Sequence, residues 1–290
     1  MTRRAACGAT LGLFVALIAG CSGDAPQPPE PADERRIVTL APHLAELVFA
    51  AGAGDTLVGV SAYTDHPAEA AGLTVVSDAF TVDQEQLRLL SPTLVLAWES
   101  GTPRHLVAEL IERGYRVEAL RTHGLDDIAA AIERIGELTD TSERAAAVAR
   151  QFRAELQALR QTQVGKHDVS VFYQVSLKPL YTISDAHYIG EIIVLCGGTN
   201  AFSGLGDLAP AVTVEAVVAA NPDAILASSA EGDAAFTEWR RWQHLTATRF
   251  ENFFSVDADS IGRPSLRLVD AARSVCGYID AARGRLAASS

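Results

Sequence analysis

Positive charge is scarce in this 290-residue chain, where 24 Lys and Arg stand against 36 Asp and Glu for a formal net charge of −12. No basic stripe offsets that balance, and an acidic surface repels phosphate backbones, which argues against nucleic-acid binding. Catalytic signatures are missing too. The chain has no G-x-S-x-G elbow, no H-E-x-x-H and no G-x-x-x-x-G-K-S/T loop. Gly165-Lys166 runs into His167, and Gly52-Ala53-Gly54 closes a helical pattern instead of joining a strand to one. The seven histidines, at 43, 66, 105, 123, 167, 187 and 244, show neither HxH nor HxxxH spacing. A bare metal ion needs several converging ligands, so no such site is expected. Long apolar runs are also lacking: the stretch from Leu11 to Ile18 falls short of the roughly 20 residues a membrane span needs.

What that short stretch does fit is an export signal. MTRRAACGATLGLFVALIAGCSGD has a basic start, an apolar middle and small residues before Cys21. Ile18-Ala19-Gly20-Cys21 resembles a bacterial lipobox, which implies cleavage before Cys21 and a lipid on its thiol; an ordinary secretory signal is the alternative. Residues 1–20 are thus read as a lipoprotein signal peptide and 21–35, Pro-rich and polar, as an extended tether. The protein is expected in the periplasm or on the outer face of a membrane, held by Cys21.

Cysteines number four. With Cys7 in the signal and Cys21 lipidated, Cys196 and Cys276 remain, and export carries them into an oxidising compartment. A structural disulfide is expected, closing a loop long enough to contribute about 4 kcal/mol in the chain-entropy treatment. Two separate buried thiols are the alternative.

From Arg36 onward, strand-like and helix-like segments alternate. RIVTLAP, LVGVSAY, LTVVS, TLVLAW and YRVEAL read as strands; HLAELVFAAGAG, VDQEQLRLL and PRHLVAELIERG read as helices. This is the pattern of an α/β layer with a largely parallel sheet. DTSERAAAVARQFRAELQALRQTQ then runs without Gly or Pro, with Ala145, Val148, Phe152, Leu156 and Leu159 in one stripe. Asp140 and Glu143 at its start are spaced as a capping box, and the helix is expected to run about 35 Å. The alternation resumes with DVSVFYQV, PLYTIS, YIGEIIVLCGG, VEAVVAA, DAILAS and LRLVDAARSVCGYIDAARGRL. The chain is therefore read as two Rossmann-like α/β lobes, 36–140 and 164–290, joined by a backbone helix over 141–163, with a ligand cleft between them.

One phrase occurs twice. In DQEQLRLLSPTLVLAWESG and in TVEAVVAANPDAILASSAEG, a glutamate (Glu85, Glu215) precedes a proline (Pro92, Pro222) by the same interval, and each proline leads a short apolar run. Each lobe carries one copy.

RIVTLAPHLAELVFAAGAGDTLVGVSAYTDHP, SPTLVLAWESG, PLYTIS, VLCGGTNAF and GRPSLRLVDAARSVC together resemble the vitamin B12-binding subunits of ABC importers, within the helical-backbone class of periplasmic binding proteins. The resemblance spans roughly residues 36 to 283. It implies capture of cobalamin or a related corrinoid by a protein that is monomeric when free, with no cofactor or enzymatic step. Delivery would be to a homodimeric permease driven by ATPase subunits. By position, Glu85 and Glu215 correspond to glutamates that dock in arginine pockets on that permease; solvated first-turn glutamates are the plainer reading. Tyr63, Trp98 and Tyr181 match aromatics that lie against the corrin, and Phe80 stands beside a further such position. Asp259 and Arg263, in DADSIGR with Ser260, Ile261 and Gly262, match a loop that touches the ligand edge. Relatives often carry additional tryptophans where this chain has Ala79 and Ala209. His66, before Pro67, is a candidate axial ligand to a metal centre or simply an exposed side chain. His43 is read as local structure. Haem or an iron-siderophore remains the alternative cargo, since one Tyr or His suffices to hold haem. An exported α/β enzyme is the remaining class.

Overall fold

The computed structural model describes residues 35 to 288; the signal segment, Cys21 and most of the tether lie outside that range. The first lobe runs β1 (Ile37–Thr39), α1 (Pro42–Ala51), β2 (Leu57–Ser61), β3 (Thr74–Ser77), α2 (Gln84–Leu90), β4 (Leu94–Trp98), α3 (Arg104–Glu112), β5 (Val117–Leu120) and α4 (Leu125–Thr139). The long α5 (Ser142–Gln161) leads to β6 (Val169–Gln174), a hairpin of β7 (Ser176–Leu177) and β8 (Leu180–Tyr181), α6 (Tyr188–Leu195) and β9 (Gly198–Asn200). Then follow α7 (Val214–Ala220), β10 (Ala224–Ser228), α8 (Thr246–Arg249), β11 (Phe253–Val256), α9 (Ala258–Ile261) and α10 (Leu268–Ala287).

The sheet of the first lobe has the order β3-β2-β1-β4-β5, and that of the second β11-β10-β6-β9. Every pairing in both is parallel. Such sheets need apolar cover on both faces, and the strands supply it with a period of two. Leu94 and Leu96 enter the large central core while Val95 and Ala97 enter a cluster under α2 and α3. On β10, Ala224 and Leu226 face the central core while Ile225 and Ala227 face a cluster around Trp239. PLYTIS departs from the expected alternation: its strand belongs to the antiparallel β7–β8 hairpin, outside the parallel sheet.

The lobes share more than a helix. The central core is continuous from Ile37 and Leu44 through Ile128, Ile132 and Phe152 to Ile192 and Ile279. Arg153 of α5 donates to Asp126 and Glu133 of α4 on one side, and Arg273 of α10 donates to Glu155 of α5 on the other. Glu191 of α6 accepts from the first free amide of α4, that of Leu125, at 2.7 Å. The backbone helix α5 is the centre of a three-helix spine, with α4 and α10 on either side, that holds the two sheets.

Two expectations need correction here. Asp140 does not cap α5: it closes α4 in a left-handed conformation (φ 55°), a geometry that a short polar side chain tolerates. Thr141 is the N-cap residue of α5, without a side-chain cap bond, and the helix spans 20 residues, about 30 Å. The helix α4 escaped the sequence reading although Leu125, Ile128, Ala129, Ile132 and Ile135 form a buried stripe at helical spacing. The expected Cys196–Cys276 disulfide is present, tying the end of α6 to the middle of α10.

Candidate functional site

In parallel α/β sheets, ligand-contacting groups gather beyond the carboxyl ends of the strands. The sequence-selected residues fall there in both lobes. Trp98 is the last residue of β4, and Tyr63 lies just past β2 with φ 64°. Phe80 follows β3 in a turn held by Asp78, whose carboxylate accepts from the amides of Phe80 and Thr81 at 2.8 and 2.7 Å. Tyr181 ends β8, in the excursion that follows β6. Asp259 and Ser260 sit in α9, and Gly262 and Arg263 follow it, beyond β11.

The exposure of these aromatics is the unusual feature. Tyr63 is 85 % exposed, Phe80 76 % and Tyr181 36 %, whereas the other large rings among the described residues are buried or half-buried. Trp98 is half-buried: its indole meets His43 edge-on at 4.9 Å between centroids. Gly101 lets the indole lie flat on the chain, because a Cβ there would stand 1.8 Å from the ring. Ile261 corrects the expectation for its loop. Its side chain is 0 % exposed in the central core, so it anchors α9 and has no face for a ligand.

Arg263 also differs from expectation. It reaches Asp259 only as a 3.6 Å ion contact, while its guanidinium donates to both carboxylate oxygens of Asp65, in the loop after β2. Buried Glu46 of α1 lies 3.8 Å from the same guanidinium and accepts twice from Arg267, at 2.6 and 3.0 Å. Asp65–Arg263 and Glu46–Arg267 therefore run from one lobe to the other, and they bring the two sets of strand ends to one seam. The hydrogen bond from Arg263 holds the Asp65 carboxyl below its usual range and raises the guanidinium in turn. His43, under this network, is pushed down to about 3, first by burial and then by the charge of Arg263. Asp65, Glu46 and Arg267 gave no sequence signal, because partners so distant along the chain have no shared spacing.

His66 is exposed beside Asp65 and is followed by a cis bond to Pro67. Among the described residues no group of three His, Cys, Asp or Glu is placed to hold a metal ion.

The repeated phrase folds as a repeated structure. Asp83 and Thr213 are N-caps whose side chains accept from backbone amides of the first turn. Glu85 and Glu215 occupy the second helical position of α2 and α7, both seven residues long and both exposed. Each helix buries one residue, Leu87 or Val217, and each ends left-handed, at Ser91 (φ 44°) or Asn221 (φ 46°). Proline then leads into β4 or β10, which pairs with the first strand of its lobe.

Comparison with known proteins assigns the architecture. The periplasmic binding protein family model matches residues 37–260. The chain belongs to that family. Among curated periplasmic binding proteins it is 36 % identical over 255 residues to the vitamin B12-binding protein of Vibrio cholerae, covering 88 % of this chain and 92 % of that one. It is 33 % identical over 250 residues to the vitamin B12-binding protein of Vibrio parahaemolyticus, covering 86 % and 90 %. The crystal structure of the periplasmic vitamin B12 binding protein of Vibrio cholerae superposes with a TM-score of 0.78 over 86 % of this chain and 97 % of that one. A periplasmic haem-binding protein of Vibrio cholerae, at 20 % identity, shares the fold with a TM-score of 0.72 over 84 % and 98 %. Being a periplasmic binding protein, the chain is a carrier subunit and not an enzyme.

Proposed function

We propose that this protein captures cobalamin or a related corrinoid at the seam between its lobes and delivers it to an ABC permease. The observation that carries the reading is the set of exposed aromatic faces, Tyr63, Phe80 and Tyr181, contributed by both lobes beside Trp98. A flat, bulky ligand with an amide-rich edge is the chemistry such a seam suits. Aromatic rings give broad apolar contact at little entropic cost, and Asp259, Ser260, Gly262 and the Asp65–Arg263 pair offer polar groups around them. The likeness to vitamin B12-binding proteins over most of both chains supports the corrinoid over other flat cargo.

Delivery follows from the matched helices. A homodimeric permease presents one pocket twice, and Glu85 and Glu215 offer it one anion twice, each fixed by the same capped turn. The three-helix spine and the interlobe ion pairs favour a small closure on loading. Lipid on Cys21 would keep the carrier close to the permease. Energy for release comes from the partner ATPase subunits.

Calorimetric titration with cyanocobalamin tests the cargo. Saturable one-to-one binding is expected. Binding of haem without cobalamin would replace the reading with the haem alternative, for which exposed Tyr63 and His66 supply the candidate iron ligands. Mass spectrometry of the mature protein is expected to find a lipid-modified N-terminal Cys21.

A further inference from the structure

Apart from Asp65–Arg263 and Glu46–Arg267, the lobes meet where residues 122–125, between β5 and α4, lie against the first turn of α6. Glu191 Oε2 accepts from the Leu125 amide at 2.7 Å. A Cβ on Gly124 would stand 2.5 Å from Glu191 Oε1, so a side chain there would displace the carboxylate. Four residues before Glu191, His187 is the N-cap of α6. Its Nδ1 accepts from the Ile189 amide at 3.1 Å, and its ring centroid lies 4.2 Å from that of Tyr188.

Histidine is an uncommon N-cap. Ser, Thr, Asp and Asn are the favoured ones, and this chain uses Asp83, Thr213 and Asp257 at α2, α7 and α9. What the imidazole adds is an acceptor that a proton can remove. Neutral, it accepts at Nδ1; charged, both ring nitrogens carry hydrogen and the cap bond is lost.

The neighbouring charges leave this switch to His187. Burial, and after it the charge of His123 in the first lobe, push His187 down to about 4. His123 Nε2 itself lies 2.8 Å from Glu99, after β4. At the start of α4, Asp127 is paired with Arg121 and Asp126 with Arg153 of α5. Glu191 is held by the Leu125 amide and shares a hollow with Arg160 of α5. Asp185, in the loop before α6, is exposed. Tyr188 and Tyr173 of β6 stay neutral, both raised by burial.

We infer that His187 is an acid-sensitive latch between the lobes. While neutral it fixes the first turn of α6 and so holds Glu191 on the amide of Leu125; protonated, it frees that turn and loosens the seam. An unlatched histidine titrates near 6.5 and the latched one at about 4. Below 6.5, each pH unit therefore favours the unlatched form by up to about tenfold, until about 4 is reached. The inference adds regulation to the proposed function and rests on that reading only for its effect on cargo, which is held at neutral pH and loosened in acid.

The test compares wild type with His187→Asn, a substitution that keeps a good cap and removes the titration. Amide hydrogen exchange of the unliganded proteins, corrected for intrinsic rates, is followed at pH 7 and pH 5, the latter still above the ordinary carboxylate range. Protection of the Leu125 and Ile189 amides is expected to fall about tenfold in wild type and to hold in the variant. Nitrogen NMR of the wild-type imidazole, which needs no variant, should find Nδ1 without hydrogen at pH 7. Unchanged wild-type protection, a protonated Nδ1 at pH 7, or the same loss in folded His187→Asn overturns the latch. Over the same interval cyanocobalamin affinity should fall severalfold in wild type and stay constant in the variant; a wild-type affinity that does not move overturns the control of cargo. Failure of cyanocobalamin to bind at either pH counts against the corrinoid reading, and the exchange and nitrogen measurements still decide the latch.

Discussion

The sheet of the first lobe runs β3-β2-β1-β4-β5, and β9-β6-β10-β11 in the second repeats its last four strands, β2-β1-β4-β5. At one end the lobes match closely: α2 and α7 have the same length, the same N-cap logic, the same left-handed finish and the same exposed glutamate. At the seam they diverge. The first lobe supplies Tyr63, Phe80 and Trp98 from the loops after β2, β3 and β4, with a pocket beneath, whereas the second supplies Tyr181 from an inserted hairpin and a polar loop after β11. The second lobe alone carries a disulfide. Under the proposed function, the surface offered to a symmetric partner keeps its repeat, and the surface offered to an asymmetric guest does not.

That contrast can be broken in several ways. The largest effect is expected from Glu85→Ala combined with Glu215→Ala, which should abolish uptake and leave ligand affinity intact. Each single substitution should cost on the order of 2–5 kcal/mol of docking, because a permease arginine is left unpaired. Unequal single losses would break the proposed symmetry, and lost ligand affinity would contradict the docking role. Next comes the disulfide. Cys196→Ser with Cys276→Ser should lower unfolding free energy by about 2–5 kcal/mol, measured by denaturant titration, with no change in docking.

Acid stability separates the lobes by two histidines, buried His43 in the first and half-buried His187 in the second. His43 is lowered to about 3 and His187 to about 4, each chiefly by burial. Unfolded histidine titrates near 6.5, so below that pH the unfolded chain binds protons that the folded chain refuses. Stability from these rings is therefore undiminished above about 6.5 and falls as pH drops toward about 3–4, by up to ~1.4 kcal/mol per pH unit per ring. His43→Phe should flatten the first lobe's share of that slope; an unchanged slope would contradict the assignment. The smallest effect belongs to Asp65→Asn, which weakens a solvent-screened interlobe pair and should cost about 0–1 kcal/mol of stability. Its sharper readout is a wider lobe separation by small-angle scattering, and no change in separation would show that the pair holds nothing open or closed.

Much of this was legible beforehand because it is written locally. Period-two runs such as TLVLAW and the Pro92 and Pro222 junctions are short-range patterns, whereas Tyr63, Trp98 and Tyr181 were singled out through the family resemblance. The disulfide followed from there being few cysteines to pair. What the sequence hid was long-range or accidental in spacing. Arg263 prefers Asp65 to its neighbour Asp259, Ile261 turns inward from a loop whose other members face out, and α4 joins α5 to make the spine. Asp140 looked like the start of a helix and is the end of another, since a short acid serves both uses.

The central claim is that exposed aromatics from two unlike walls grip one flat guest. Titrating the wild-type protein and Tyr63→Ala with cyanocobalamin tests it most directly. The account predicts saturable one-to-one binding by wild type, weakened by roughly 10- to 100-fold in the variant through loss of a broad apolar contact. Wild-type binding that the variant matches, or no binding at all, would contradict it.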